Sequence, residues 1–398
     1  MQEWKTYTLK DLSKGKGEYG IGASAIPFDK DKLIYLRITD INDDGTLNKS
    51  GLTSVDAVDA SKYLLEKNDI VFARTGNSTG RSYFYDGSDG PLVYAGFLIR
   101  FRLDDSKVNP RILKYYSHSK PYYDWVQSFD TGGTRGNINA KTYGDMPITL
   151  PPRHVQDRIV DILYSLDAKI ENNRRINDNL EQQALALYKS WFVDFVPFKD
   201  GNFVESDLGL IPEGWSVGNL LDVAELYDSK RKPLSGMQRS AMKKIYPYYG
   251  ATSIMDYVDN YIFDGIYLLM GEDGSVVTDD GYPFLQYVSG KFWPNNHAHI
   301  MQGKNGYSTE MLHCFLLKKN ISEIVTGAVQ AKISQGNMKK ISLVIAPNEV
   351  LNEFAPVIDR MYSKIRAIHF ENQQLETMRD TLLPKLMSGE LKINEIEC

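Results

Sequence analysis

Cysteine is nearly missing from this sequence: two occur in 398 residues, Cys314 and Cys398. That excludes a disulfide framework, and a reducing cytoplasm is the compartment expected. Long apolar runs are missing as well. No stretch approaches the ~20 apolar residues that span a bilayer, and the opening MQEWKTYTLK is too polar for a secretory signal, so no membrane partner is expected. Strings that carry common chemistry are also absent. There is no G-x-x-x-x-G-K-[ST] phosphate loop, no G-x-S-x-G, and no Asn/Asp-Pro-Pro-Tyr of the kind used on a flipped base. GKGEYG, with Gly15, Gly17 and Gly20, has the G-x-G-x-x-G spacing, but no strand pattern precedes it and no helix pattern follows, so it reads as a turn. His297 and His299 alternate in NNHAHI and would share one face of a strand, yet a full zinc ligand set is not evident. They read as ordinary strand histidines. Neither a metal nor a cofactor is expected, and no residue is assigned a catalytic role.

The net charge of −5 is unevenly spread. Residues 1–150 carry net +1 and residues 213–347 net 0, whereas 151–212 and 348–398 carry −3 each. The acidity lies between and after two nearly neutral regions, which leaves room in them for basic patches. The strongest is KRKPLSGMQRSAMKK, residues 230–244, with Lys230, Arg231, Lys232, Arg239, Lys243 and Lys244 and no acidic residue inside it.

What the chain does have is repetition. TGGTRGNINAKTYGDMPITLPP (131–152) and TGAVQAKISQGNMKKISLVIAP (326–347) open on the same dipeptide, place an isoleucine at the same step (Ile138, Ile333) and close on an apolar run ending in proline. The offset is 195 residues. After the first copy, residues 153–192 contain no glycine and no proline. Alternate steps of four and three pick out Ile159, Leu163, Leu166, Ile170, Asn173, Asn177, Leu180, Ala184, Leu187 and Trp191, the 3.5-residue period of a coiled-coil seam. Such a helix would be a rod of roughly 60 Å. The same offset gives Phe354, Ile358, Met361, Ile365, Ile368, Asn372, Leu375, Arg379, Leu382 and Leu386. One such helix alone would be an ordinary packed element; two in register after the same lead-in read as mates, with the seam Asn fixing register. Pro384 is expected to end or kink the second helix, and Pro356 to delay its start.

The regions before the helices match loosely, Trp4 with Trp215 and DIVFARTGNSTG (69–80) with DGIYLLMGEDGS (264–275), and are rich in β-branched residues, aromatics and turn dipeptides. The expected fold class is α+β, a pseudo-two-fold internal repeat. Two β-rich globular regions, 1–150 and 213–347, alternate with two helical regions, 151–195 and 348–398, paired as an antiparallel coiled coil. A linker occupies 196–212.

ITLPPRHVQDRIVDIL, LDAKIENNRRINDNLEQQALALYKSWFVDF, ESDLGLIPEGW and LLPKLMSGEL resemble the specificity subunit of type I restriction-modification enzymes, and the resemblance covers essentially the whole chain. IAPNEVLNEFAPVI departs from the pattern, replacing the LPPxxxQ of the first lead-in. The resemblance implies a non-catalytic subunit that binds double-stranded DNA at a bipartite site through two target-recognition domains. It also implies docking of two modification (methyltransferase) subunits on the helical spacers and, with restriction subunits, an ATP-dependent endonuclease. Two readers on a rigid spacer can read half-sites separated by bases that neither touches.

Residues that differ between the aligned loops are free to specify. Thr134, Arg135 and Asn137 become Val329, Gln330 and Lys332, and Arg, Asn and Gln are the side chains that pair bidentately with base edges. Arg74, Asn77, Ser78 and Arg81 in RTGNSTGRS form a second candidate loop. Lys230, Arg231 and Lys232 are expected at phosphates, which position rather than specify. The rival reading is a protein-binding adaptor, two β-rich modules on a coiled-coil spacer.

Overall fold

The computed structural model describes residues 4–130, 136–327 and 330–391. It divides into two units, residues 1–170 with 373–398, and residues 171–372. In the first, the buried strand Asp69–Ala73 runs between Ser82–Tyr85 and Leu98–Arg102 in a four-stranded sheet, and a second four-stranded sheet is built on Leu33–Leu36 and Thr53–Val55. In the second, Phe263–Gly271 runs between Leu285–Pro294 and Ala298–Gly303 in a six-stranded sheet. Both central strands are antiparallel to both neighbours. In each unit the strand that closes this trio leads to a helix, Pro110–Tyr116 or Thr309–Leu317. The units therefore share chain order as well as composition.

The repeated lead-in is a repeated joint. Ile138 and Ile333 are both 0% exposed. The Ile138 N–H donates to the Arg74 carbonyl at 3.0 Å and the Ile333 N–H to the Glu272 carbonyl at 2.8 Å, each at the end of a central strand. The next residue caps a short helix: Asn139 accepts from the Thr142 N–H and Ser334 from the Asn337 N–H, which satisfies a helix-end donor. Then comes a strand, Pro147–Leu150 or Ser342–Ile345, paired antiparallel with the strand that opens its domain, Lys5–Thr8 or Ser216–Asn219. Glycine is required by close approach in both joints. A Cβ on Gly136 would stand 2.1 Å from the Phe129 carbonyl oxygen, and one on Gly327, at φ +97°, 2.0 Å from that of Gln330. Thr131 and Gly132, the opening dipeptide of the first copy, lie outside the described residues.

Each joint feeds a long helix, Arg153–Phe192 or Asn348–Ser388. None of the seam positions is exposed. Within the first unit Ile159 and Leu163 share a core with Leu383, Leu386 and Met387. Within the second, Ala184 and Tyr188 share one with Leu351, Phe354 and Ile358. The start of one helix packs on the end of the other in both cases, so the pairing is antiparallel. The expectations for the prolines are corrected: the second helix begins at Asn348, runs through Pro356 and Pro384, and stops at Ser388 before Gly389 at φ +73°. Both prolines are exposed, as are Asn352 and Asp380, so the carbonyls that lose a helical partner meet water instead of core.

The offset pairs Asn177 with Asn372, but in space the Asn173 amide donates to Asn372 Oδ1 at 2.8 Å and to Glu371 Oε2 at 2.7 Å. At the 195-residue offset this pair corresponds to Ile368 and Asn177, so the repeat does not carry the polar contact over. Asn177 instead donates to the Ile365 carbonyl at 3.4 Å. Replacing Asn372 alone with Leu takes one of two acceptors from the buried Asn173 amide, which keeps Glu371, and is expected to cost about 1 kcal/mol, whereas replacing both with Leu is close to neutral. Denaturant unfolding of the two singles and the double checks this, and additive losses would show that the pair does not interact.

Candidate nucleic-acid interface

In each unit three separated segments meet at the joint. In the first they are the strand around Tyr19, the turn after Ala73, and the lead-in at 136–140. The Arg74 guanidinium lies 5.1 Å over the Tyr19 ring and its Nε reaches Asn137 Oδ1 at 3.4 Å. Tyr19 Oη accepts from the Ala140 N–H at 3.1 Å, and Tyr143 Oη donates to the Ala73 carbonyl at 2.9 Å. Beneath lies an aromatic layer in which Phe72 stacks on Tyr143 at 4.9 Å. The structure thus brings together Arg74 and Asn137, which belong to two separate candidate loops of the sequence. Asn77 is exposed on the same turn and Ser78 is buried. Arg81 points elsewhere, donating to the Ile41 carbonyl at 3.0 Å and pairing with Asp43 at 2.7 Å. Thr134 and Arg135 lie outside the described residues.

The second unit makes the same three-way meeting with polar chemistry. His299, 1% exposed, faces Asp228 Oδ2 with Nδ1 at 2.6 Å and the Ile333 carbonyl with Nε2 at 2.7 Å. Asp228 also accepts from the Ile300 N–H at 2.9 Å and from Gln335 Nε2 at 2.6 Å. Burial opposes its ionisation, but the hydrogen bonds and the charge of His299, with those from Gln335 and Ile300, outweigh it and hold the carboxyl below its ordinary value. Arg231 closes the cluster through Glu272 at 2.5 Å and the Ala298 carbonyl at 2.8 Å. Lys332 stands at the rim, 3.5 Å from Glu272, and Gln330 is exposed beside it. Asp228, Glu272 and His299 offer donor atoms within 4.8 Å of one another, a spacing a cation could use. The Arg231 guanidinium already supplies that positive charge. His297 turns to Asp273, so the two alternating histidines serve different carboxylates.

Tertiary structure also redistributes the basic run. Arg231 is committed to Glu272, while Arg239 and Lys244 share Asp256 at 3.1 and 2.8 Å. Lys230 is exposed with its ammonium 4.8 Å over the Tyr227 ring, and Lys232 and Lys243 are exposed. Sequence reasoning missed Tyr19, Asp228, Glu272 and His299 as members of these two clusters. Asp228 and His299 are 71 positions apart, and no local pattern links them.

Two copies of one β-rich unit, each closing three loops over a joint that leads into a long helix, define a tandem-repeat binding protein. The type I restriction modification DNA specificity domain matches the chain twice, over residues 1–182 and 212–377, and the chain belongs to that family. It is 25% identical over 303 residues to the type I restriction enzyme MjaIX specificity subunit of Methanocaldococcus jannaschii, with 71% of this chain and 69% of that one covered. It is 21% identical to the HindI specificity subunit of Haemophilus influenzae, with 98% and 100% covered. The fold is shared with the S subunit of a type I system from M. genitalium, at a TM-score of 0.56 and 17% identity over 96% of each chain. Among the described residues no helix is long and apolar enough to cross a membrane.

Proposed function

We propose that this chain is the non-catalytic DNA-reading subunit of a type I restriction-modification complex. Residues 1–150 and 213–347 act as its two target-recognition domains, 151–195 and 348–398 as its spacers, and 196–212 as the linker. It reads a bipartite target in double-stranded DNA and directs two modification subunits and the ATP-dependent restriction subunits to it. The observation that carries this reading is the joint made twice: each reader has its own buried anchor and its own helix, while the surrounding loop residues differ. In the first domain Arg74, Asn77, Asn137 and the Thr134–Arg135 segment are assigned to base reading, and in the second Gln330 and Lys332, while Ser78, a candidate by sequence, is buried and supports the turn that carries Asn77. Arg81 and Arg231 hold loops in place. The sequence offers no catalytic motif, which fits a subunit that leaves chemistry to its partners.

Positioning and reading separate experimentally. Lys230→Ala with Lys232→Ala is expected to weaken binding to every sequence alike and to flatten the salt dependence by about one phosphate's worth of slope for each lysine removed. Arg135→Ala is expected to cost about 1–3 kcal/mol on the correct site and to relax preference at one base pair. The measurement is binding of the chain with its modification subunits to single-base variants of the target at several salt concentrations. A uniform loss for Arg135→Ala across all variants would make it a phosphate or scaffold residue.

A further inference from the structure

We infer that Asp228, His299 and Gln335 are positioning residues that set the sequence preference of the second recognition domain, and of that domain alone. The inference rests on the DNA-reading role proposed above. Each ring nitrogen of His299 faces an oxygen that accepts: the Ile333 carbonyl at 2.7 Å and the Asp228 carboxylate at 2.6 Å. The ring is thus a rigid strut between the lead-in loop and the 228–232 segment. Gln335 repeats the tie from the other side of the loop, reaching from an exposed backbone position to Asp228 at 2.6 Å. The Ile333 N–H is already held by the Glu272 carbonyl, so both backbone polar groups of Ile333 are fixed. Lys332 and Gln330, assigned to reading, are one and three steps along the chain from Ile333, and Lys230 and Lys232 adjoin Arg231 in the 228–232 segment that the clamp holds. A base-reading side chain discriminates only if its backbone is held to within a fraction of an ångström. The clamp supplies that hold, and none of its members needs to touch DNA.

The first domain makes the same joint without this device. There Tyr19, Tyr143 and the Phe72 stack do the holding. Damage to the clamp therefore has an internal control, the other half of the same target.

The test uses the full chain with its modification subunits, expressed in a bacterial host free of other methylation, and reads the methylated motif by single-molecule sequencing. The unaltered chain is expected to give two defined halves separated by undefined bases; a motif that is not bipartite would overturn the function itself and is distinguishable at this step. His299→Gln has one donating and one accepting end, so it serves Ile333 or Asp228 but not both. It is expected to blunt base preference at least tenfold in one half only, the half that changes when residues 213–347 are exchanged. Adding Asp228→Asn gives the Gln carbonyl a donor, and Gln335 can rotate its amide to match, so the double variant is expected to recover the sharp motif. A merely structural role would lower modification at all sites without altering the motif. Two sharp halves in His299→Gln, equal blunting of both, or a folded double variant that does not recover would each overturn the inference. Should His299→Gln give no methylation at all, Gln335→Ala decides: its side chain leaves from the surface, and a fully sharp motif in that variant would overturn the inference.

Discussion

A chain with Asp in place of Leu163 is expected to lose protection from hydrogen exchange throughout residues 4–130 while the helix Thr309–Leu317 and the strand Phe263–Gly271 keep theirs. Leu163 is 0% exposed and lies in the core that joins Leu9, Ile112 and Ile148 of the first unit to Leu383 and Leu386 of the second helix. A carboxylate there has no partner, and the cost exceeds about 4 kcal/mol, a large part of the ~5–15 kcal/mol that holds a domain together. Its counterpart Ile358→Asp, also at 0% exposed, is expected to do the reverse, because Ile358 packs with Phe354, Tyr188 and Leu312 in the second unit. Leu166→Asp, at a half-buried seam position, is expected to be much milder. Loss of protection in both units from either substitution would show that the two units unfold as one.

Exchanging residues 213–347 for the corresponding domain of another family member is expected to replace one half of the methylated motif completely and leave the other untouched. The cut points are favourable because the strands Ser216–Asn219 and Ser342–Ile345 pair with each other and the Asp228–His299 clamp lies wholly inside. What must be matched is the contact with the retained helix. Arg366 bonds Glu310 at 2.7 Å and Tyr362 Oη meets His313 Nδ1 at 2.8 Å, so the incoming domain has to offer equivalent groups at those two places. In the other unit the same task falls to Asp167, which meets Lys114 at 2.7 Å and Arg379 at 3.2 Å. Sequencing of the modified genome reads the outcome, and a change in both halves would count against two autonomous readers.

The helices, their seam and the repeat were legible in the residues because their cause is local or periodic. A 3.5-residue apolar period forces a helix with one sticky stripe, and a fixed offset forces whatever surrounds it to recur. Ile138 and Ile333 were visible for the same reason, since the joint they anchor is written twice. Where local rules failed, exposure decided: Pro356 and Pro384 break a buried helix but not one whose freed carbonyls meet water.

The loop ends of the two β-rich units were only half legible. RTGNSTGRS and the 230–244 run stood out by composition, yet composition did not show that Arg74 would lean on Tyr19, that Arg81 would turn to Asp43, or that Arg231 would be neutralised by Glu272. Nor did anything near His299 name Asp228 as its partner. The sequence by itself determined two β-rich regions, two mated helices and the order in which they alternate, because those follow from periodicity and repetition along the chain. Only the tertiary structure decided which charged side chains face outward and which hold the loops, because an ion pair is made by whatever the fold brings within about 4 Å, at any separation in sequence.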